Sequence, residues 1–327
     1  MRALRVHQTG DPATVLQLKS EVAIPEPGRG QVRIRVDAAA LNFADDLICR
    51  GKYQEKPSLP FTPGLEVSGE VVAVGPEVTI SPGTRVMAFA ALPHGGLAEE
   101  ALANEVMTFP VPEGFPADQA AAMLVTYQTS YVALHRRAQL RAGEVLLVHA
   151  GAGGVGSSAI QLGKAAGARV VATAGGAEKV SICRDLGADK VIDYRNEDFV
   201  AEVNGWTDGR GADVIYDPVG GDTFDRSRKC IAWEGRILVI GFASGRIPEA
   251  PANHALVKNY SIMGVHYARY SLMNPDYLRE VHAHLMELHA QGKVPPLLRQ
   301  EVSLEDVPAA LGSLVSGGTV GKVVVRP

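Results

Sequence analysis

The stretch "VLLVHAGAGGVGSSAIQLGKAAGARVVATAGG", Val145–Gly176, decides how the rest of the chain reads. An apolar run, VLLV, meets a glycine-rich turn, then a segment with helical spacing, then a second apolar run, RVVATA. Apolar strands without polar alternation are those buried on both faces, as in a parallel sheet covered by helices. Gly151, Gly153 and Gly156 fit G-x-G-x-x-G directly after the strand and at the opening of the helix. In a dinucleotide-binding βαβ unit the first glycine permits the turn and the second admits a pyrophosphate to the backbone. The third lets helix and strand pack closely. The helix start adds unpaired N–H groups and the positive end of a dipole. Gly151, Ala152, Gly153, Gly154, Val155 and Gly156 therefore read as a diphosphate cradle, against the alternative of a tight turn with no ligand.

The second strand indicates which dinucleotide. An NAD site places Asp or Glu at its end to accept from the ribose 2′-OH. Here it ends in Ala174, Gly175 and Gly176, with no carboxylate. Lys179 follows a turn later and Tyr194 ends the third strand, one offering positive charge and the other a hydroxyl to a 2′-phosphate. NADPH is expected over NADH, with Gly175, Lys179 and Tyr194 at its adenosine end. The alternative for Lys179 is a solvated lysine on a helix face.

Outward from this unit the texture differs on the two sides. Toward the N-terminus, "QVRIRVDAAAL", "GLEVSGEVVAVG" and "GTRVMAFA" alternate polar and apolar residues between Pro/Gly turns, which predicts a β-rich, antiparallel or partly closed domain. From Ala117 a helical segment leads into alternating strands and helices, the pattern of a doubly wound parallel sheet. After about Val265 a polar helix precedes a final alternating strand, "GKVVVRP", expected to return to the first domain. The expected division is 1–124 with 265–327, and a Rossmann domain at 125–264.

Composition narrows the function. The 327 residues carry 46% apolar and 21% charged side chains and a net charge of -4, which gives no reason to expect nucleic acid or a membrane surface. No run approaches a membrane span and the start has no signal-peptide core. Cys49, Cys183 and Cys230 form neither a disulfide framework nor a zinc pattern, so a reducing compartment, the cytoplasm, is expected. No G-x-S-x-G elbow follows a strand, which removes a serine hydrolase. His135, His149 and His266 are scattered, and His282, His284 and His289 read as the solvated face of a charged helix rather than as metal ligands.

The stretches "LNFADDLICRGKYQEKPSLPFTPGLEVSGEV", "HAGAGGVGSSAIQLGKAAGA", "DVIYDPVGG", "IAWEGRILVIGFASG" and "GTVGKVVV" cover nearly the whole chain. In these it resembles the zinc-independent medium-chain dehydrogenases/reductases of the quinone oxidoreductase (zeta-crystallin-like) branch, most of all the quinone oxidoreductase-like members. The resemblance implies an α/β protein in which a GroES-like catalytic domain, built from both termini, frames the Rossmann domain, with a cleft between them. It also implies a homodimer. In metal-dependent relatives a catalytic zinc is held near the first helix and in a GHE motif. Here no Cys stands near Asn42, Leu65 replaces the His, and three cysteines cannot build a four-cysteine lobe. One thiol, Cys49, cannot complete a three-ligand site. No metal is expected, and Glu66 is expected to be structural.

Without a Lewis acid the electrophile must already be activated: a quinone, or an alkene conjugated to a carbonyl. Asn42 and Tyr53 match active-site positions of the family and are the catalytic candidates; the alternatives are a helix cap and a packed loop aromatic. Thr126 matches a residue beside the nicotinamide, and Gly241, Phe242 and Ala243 end a strand on the cofactor side of the sheet. Lys322 resembles a position near the cofactor but reads more simply as a surface lysine. The rival functions are an enoyl-thioester or alkenal reductase of the same fold, and an NADPH-binding sensor or structural protein with little turnover.

Overall fold

A computed structural model describes residues 1–327. Contacts divide it into two compact units, Met1–Val125 with Pro296–Pro327, and Thr126–Pro295. In chain order the strands are β1 (Ala3–Val6), β2 (Leu16–Lys19), β3 (Gln31–Ala40), β4 (Glu66–Val74), β5 (Arg85–Ala90) and β6 (Glu100–Pro110) in the first unit. The second unit holds β7 (Val145–Val148), β8 (Arg169–Ala174), β9 (Lys190–Asp193), β10 (Ala212–Asp217), β11 (Ile231–Val239) and β12 (Ser261–Gly264). The chain then returns to the first unit with β13 (Leu298–Ser303) and β14 (Lys322–Arg326).

The first unit is a six-stranded sheet in the order β13-β14-β3-β4-β5-β6, and an extra β3–β6 pairing curls part of it into a barrel. Alternation in β3 explains why it sits there. Val32, Ile34 and Val36 point into the core, while Arg33 and Arg35 on the other face pair with Glu100 and Glu70. The last strand does return, as expected: Val324 and Val325 pair with Ala40 and Ala39 of β3, antiparallel.

The second unit is a six-stranded sheet in the order β12-β11-β10-β7-β8-β9 with every pairing parallel. Renumbered within the unit this is 3-2-1-4-5-6, the doubly wound order with its switch point between β7 and β10. The four residues of β7 are all buried, which is why its sequence shows no alternation.

The domain boundary differs from the sequence expectation at one end. The N-terminal boundary falls at Val125 rather than 124, but the return falls at Pro296, not at 265. Residues 265–295 belong to the Rossmann unit because the helix Pro275–Ala290, read as merely polar, has a buried stripe of Leu278, Val281, Leu285 and Leu288. The segment is also tied down past that helix, where the Pro295 carbonyl accepts from Tyr127 Oη at 3.0 Å and from Gln161 Nε2 at 2.9 Å.

Candidate active site

The glycine-rich turn follows β7 at the C-terminal edge of the parallel sheet, where ligands of such sheets bind. Its three glycines answer to different constraints. A Cβ on Gly156 would lie 2.1 Å from the Ala150 carbonyl oxygen, and one on Gly151 would lie 2.8 Å from Cys183 Sγ. Both are fixed by packing. A Cβ on Gly153 would meet only the Ala150 oxygen, at 3.3 Å, so open space lies beside it. The left-handed residue of the turn is Ala150, at φ 52°, rather than a glycine. Its carbonyl accepts from Gly153 N at 2.9 Å, and Gly151 N donates to Thr173 O at 2.9 Å, anchoring the turn to β8. The helix Gly154–Ala165 then starts with Gly153 as its cap. Its opening N–H groups, on Gly154, Val155 and Gly156, have no acceptor within the helix.

A chain of hydroxyls holds that helix in place. Ser130 Oγ lies 2.8 Å from both Ser158 Oγ and Tyr216 Oη, and Ser158 Oγ also donates to the Thr126 carbonyl at 3.1 Å. Thr126, 2% exposed, therefore sits against the first turns of the glycine helix. Below the turn His149 is fully buried, bridging Thr173 Oγ1 at 3.0 Å and Ser227 Oγ at 2.8 Å. Burial, with the charge of Arg226 second, pushes its pKa down to about 3, so it stays neutral.

The other cofactor candidates lie along the same sheet edge. Gly175 and Gly176 follow β8, Tyr194 follows β9 and Gly241–Ala243 follow β11. Tyr194 is exposed, and its hydroxyl lies over Gly175. Lys179 is half-buried in the first turn of the helix Ala177–Asp185. Ala243 N donates to the Pro218 carbonyl at 3.1 Å, which fixes the Gly241–Gly245 loop against the loop after β10. Phe242 is partly exposed above it.

The first unit, by itself, holds a buried polar cluster around Asn42. Asn42 caps the helix Phe43–Cys49, and Asp45 accepts from its backbone N–H at 2.8 Å. Its side-chain amide donates to Ala40 O and to Glu66 Oε2, both at 3.1 Å. Its Oδ1 accepts from Lys322 Nζ at 2.8 Å. The expectation of a surface lysine is thereby overturned. Lys322 is 5% exposed and donates to Leu41 O, Asn42 Oδ1 and Glu66 Oε2 at 2.8–2.9 Å. Glu66 is fully buried and structural, with its second oxygen on Val125 N at 2.8 Å. Asp45 receives Gly64 N and Leu65 N, and burial raises its pKa to about 6. Three ammonium donors meet three acceptors, and both Asn42 amide hydrogens are engaged. Asn42 thus offers only an acceptor lone pair. The free donor of the candidate pair is the hydroxyl of Tyr53, a half-buried ring packed on the barrel core. Burial, then the charges of Glu55 and Asp45, push its pKa up to about 12, which keeps it protonated.

On the histidine-rich helix His284 is exposed, as a solvated face would be, and its Nδ1 lies 2.7 Å from Tyr131 Oη. Sequence reading also missed Asp45, although N-x-x-D before a helix is a capping signal. It took Lys322 for a surface lysine, and no local signal marks its burial, because its partner Glu66 is 256 positions away.

Comparisons agree with this geometry. Residues 154–285 match the family described as zinc-binding dehydrogenase, and residues 28–113 match the alcohol dehydrogenase GroES-like domain. A quinone oxidoreductase-like protein 2 homolog from Nematostella vectensis is 40% identical over 328 residues, covering 99% of this chain and 88% of the relative. The Escherichia coli quinone oxidoreductase complexed with NADPH matches with a TM-score of 0.91 at 31% identity, over 100% of both chains. A mycobacterial structure complexed with NADPH gives 0.93 at 32%, again over 100% of both. A GroES-like domain in one chain with a Rossmann sheet and its glycine turn defines the medium-chain dehydrogenase/reductase class of oxidoreductases. Within that class, the chain belongs to the quinone oxidoreductase family.

The matched family name raises zinc, and the residues do not fit it. Glu66, which accepts from the Asn42 amide, already neutralises a buried ammonium at 2.8 Å. No group of three or more His, Cys, Asp or Glu side chains converges anywhere, and a zinc site needs at least three protein ligands. Cys49 is a buried core residue whose thiol is pushed up to about 12, first by burial and then by Asp45 and Asp46.

Proposed function

We propose that the protein is an NADPH-dependent reductase that passes hydride to a quinone or an α,β-unsaturated carbonyl without a metal ion. The observation that carries this reading is the Lys322 ammonium, held by three acceptors beside Asn42. It leaves the site a protonated hydroxyl, Tyr53, and no ligand set for a Lewis acid. Such chemistry suits an acceptor that is already electron-poor. NADPH supplies the hydride when bound. The Gly151–Gly156 turn and its free N–H groups suit a diphosphate, and the carboxylate-free end of β8 suits a 2′-phosphorylated ribose. Both structural relatives described above carry NADPH. On the acceptor, Tyr53 donates a hydrogen bond to the oxygen that gains charge and then its proton, regaining one from water. Asn42, locked by Lys322 and Glu66, lines the site as a fixed acceptor. Gly241 and Ala243, with Phe242, bound the nicotinamide end, together with Thr126.

The partner for assembly is a second copy of the chain. β12 is the edge strand of the Rossmann sheet, and Ile262 on it is exposed. Unpaired edge backbone beside an apolar side chain suits strand-to-strand pairing. Lysine at Ile262 is expected to give a monomer in sedimentation. No helix is long and apolar enough to cross a membrane. The three cysteines, buried and unpaired, support the cytoplasm.

The test of function is NADPH oxidation with quinones, enones and enoyl-thioesters, after dialysis against chelator. Turnover on quinones or enones that added zinc does not raise is the expected result. Turnover that appears only with zinc, or tight NADPH binding with no turnover on any acceptor, would overturn it.

A further inference from the structure

We propose that Arg195 is the residue that selects the 2′-phosphate of the cofactor, positioned by Gly175, Gly176 and Asp193. This rests on the NADPH reading above and deepens it. The end of β8 is where a dinucleotide fold reads the adenosine ribose. In this chain the position holds no side chain, and the vacated volume is filled from the neighbouring strand. A Cβ on Gly175 would lie 2.5 Å from Tyr194 Oη and 3.0 Å from Arg195 Nε; one on Gly176 would lie 3.1 Å from Arg195 Nη1. The two glycines form a shelf on which the Tyr194 hydroxyl and the Arg195 guanidinium rest. A carboxylate side chain at Gly175 would take that same space. The usual ribose-binding acid has been exchanged for a cation that reaches across from the end of β9.

Arg195 is also available. The other arginines of this unit close to acidic groups, such as Arg226, Arg236 and Arg246, each hold a carboxylate. Arg195 makes no side-chain hydrogen bond to Asp193 two residues away, and its charge is only a lesser cause, behind the N–H groups of Gly176 and Arg195, of the lowered Asp193 pKa. The oxygens of Asp193 are engaged elsewhere: Oδ1 accepts from Gly176 N at 3.0 Å and Arg195 N at 3.1 Å, and Oδ2 from Asn196 Nδ2 at 2.9 Å. One carboxylate thus ties the backbone of Arg195 to the shelf and leaves the guanidinium for an acceptor from outside. A planar, always-charged fork over an open shelf matches a phosphate monoester, which takes two parallel N–H···O bonds. A ribose 2′-hydroxyl offers no charge for it to meet.

Binding of NADPH and of NADH to the wild type and to Arg195→Gln and Arg195→Lys, measured by titration at two salt concentrations, tests this. For Arg195→Gln the NADPH dissociation constant is expected to rise about 10- to 100-fold, the scale of one or two charged hydrogen bonds. The NADH constant is expected to stay within about twofold, and the salt dependence of NADPH binding to fall. Arg195→Lys recovers part of the loss, because charge returns without the fork. Gly175→Asp, which pairs a carboxylate with Arg195, is expected to invert the preference toward NADH. Equal weakening for both cofactors, or none for either, would overturn the role of Arg195 while a wild-type preference for NADPH keeps the wider reading. A wild type that binds both cofactors equally would end both.

Discussion

Two polar regions of this molecule look alike in composition and behave in opposite ways. Around Lys322 every donor meets an acceptor inside the chain, and the group is sealed from solvent. Along the C-terminal edge of the Rossmann sheet, the opening N–H groups of the glycine helix have no partner within the helix, and the charge of Arg195 reaches Asp193 without a side-chain hydrogen bond to it. A saturated buried network fixes geometry, because any ligand entering it must first break hydrogen bonds that are costly to lose. Donors left open at a strand edge cost little while water serves them, and they are ready for a diphosphate. The difference separates charged residues that hold the protein from those left open to a ligand.

The sharpest way to break that comparison is to remove the cation from the closed cluster. Lys322→Met removes the counter-charge of the fully buried Glu66, and a loss of about 3–5 kcal/mol in urea unfolding is expected. Adding Glu66→Gln should restore most of it. A single variant as stable as the wild type would show that the cluster is not the closed unit described.

The buried histidine beneath the open edge gives the next effect. His149 titrates at about 3 in the folded chain, from an ordinary value of 6.5. Below pH 6.5 the unfolded chain takes a proton that the folded chain refuses until about pH 3. Stability attributable to this residue is therefore lost as pH falls through that window, at about 1.4 kcal/mol per pH unit. Asp45, raised to about 6 in the fold, works in the opposite sense over pH 6 to 4. The informative quantity is accordingly the difference between wild type and His149→Gln, whose unfolding should depend less steeply on acid. Parallel profiles would contradict the assignment.

Within the glycine turn the two kinds of constraint separate cleanly. Gly156→Ala should cost about 1–3 kcal/mol of stability, because its methyl has only a carbonyl to push against. Gly153→Ala should leave stability nearly unchanged and weaken NADPH binding instead, as read by the thermal shift that the cofactor confers. The smallest effect expected is that of Tyr53→Phe. It removes the one free donor of the proposed catalytic pair and should lower kcat about tenfold or somewhat more, with the KM for NADPH unchanged. A fall in NADPH affinity instead would place Tyr53 at the cofactor rather than at the acceptor.

Much of the architecture was legible because it is written in local periods. The unbroken apolar runs of β7 and β8 announced a sheet covered on both faces, and the alternation of β3 announced one wet face. The glycine turn was legible down to its individual residues, though the first glycine proved to answer to Cys183 rather than to a strained backbone angle. Residues 265–295 were assigned to the wrong unit, since the four buried apolar side chains of Pro275–Ala290 lie among histidines and charges that dominate its composition. Asn42 stands at the cap of its helix, the alternative the sequence offers, and Ala40, Glu66 and Lys322 engage its amide.

By itself the amino-acid order determined the two-domain layout, the parallel sheet, the glycine turn and the missing acid after β8, since each depends on neighbours a few positions apart. Which lysine is buried, which arginine is left free, and which way an asparagine faces were decided only when segments hundreds of residues apart came together. A charge acquires its pKa and its partners from whatever surrounds it in space, and chain proximity supplies only part of that surrounding.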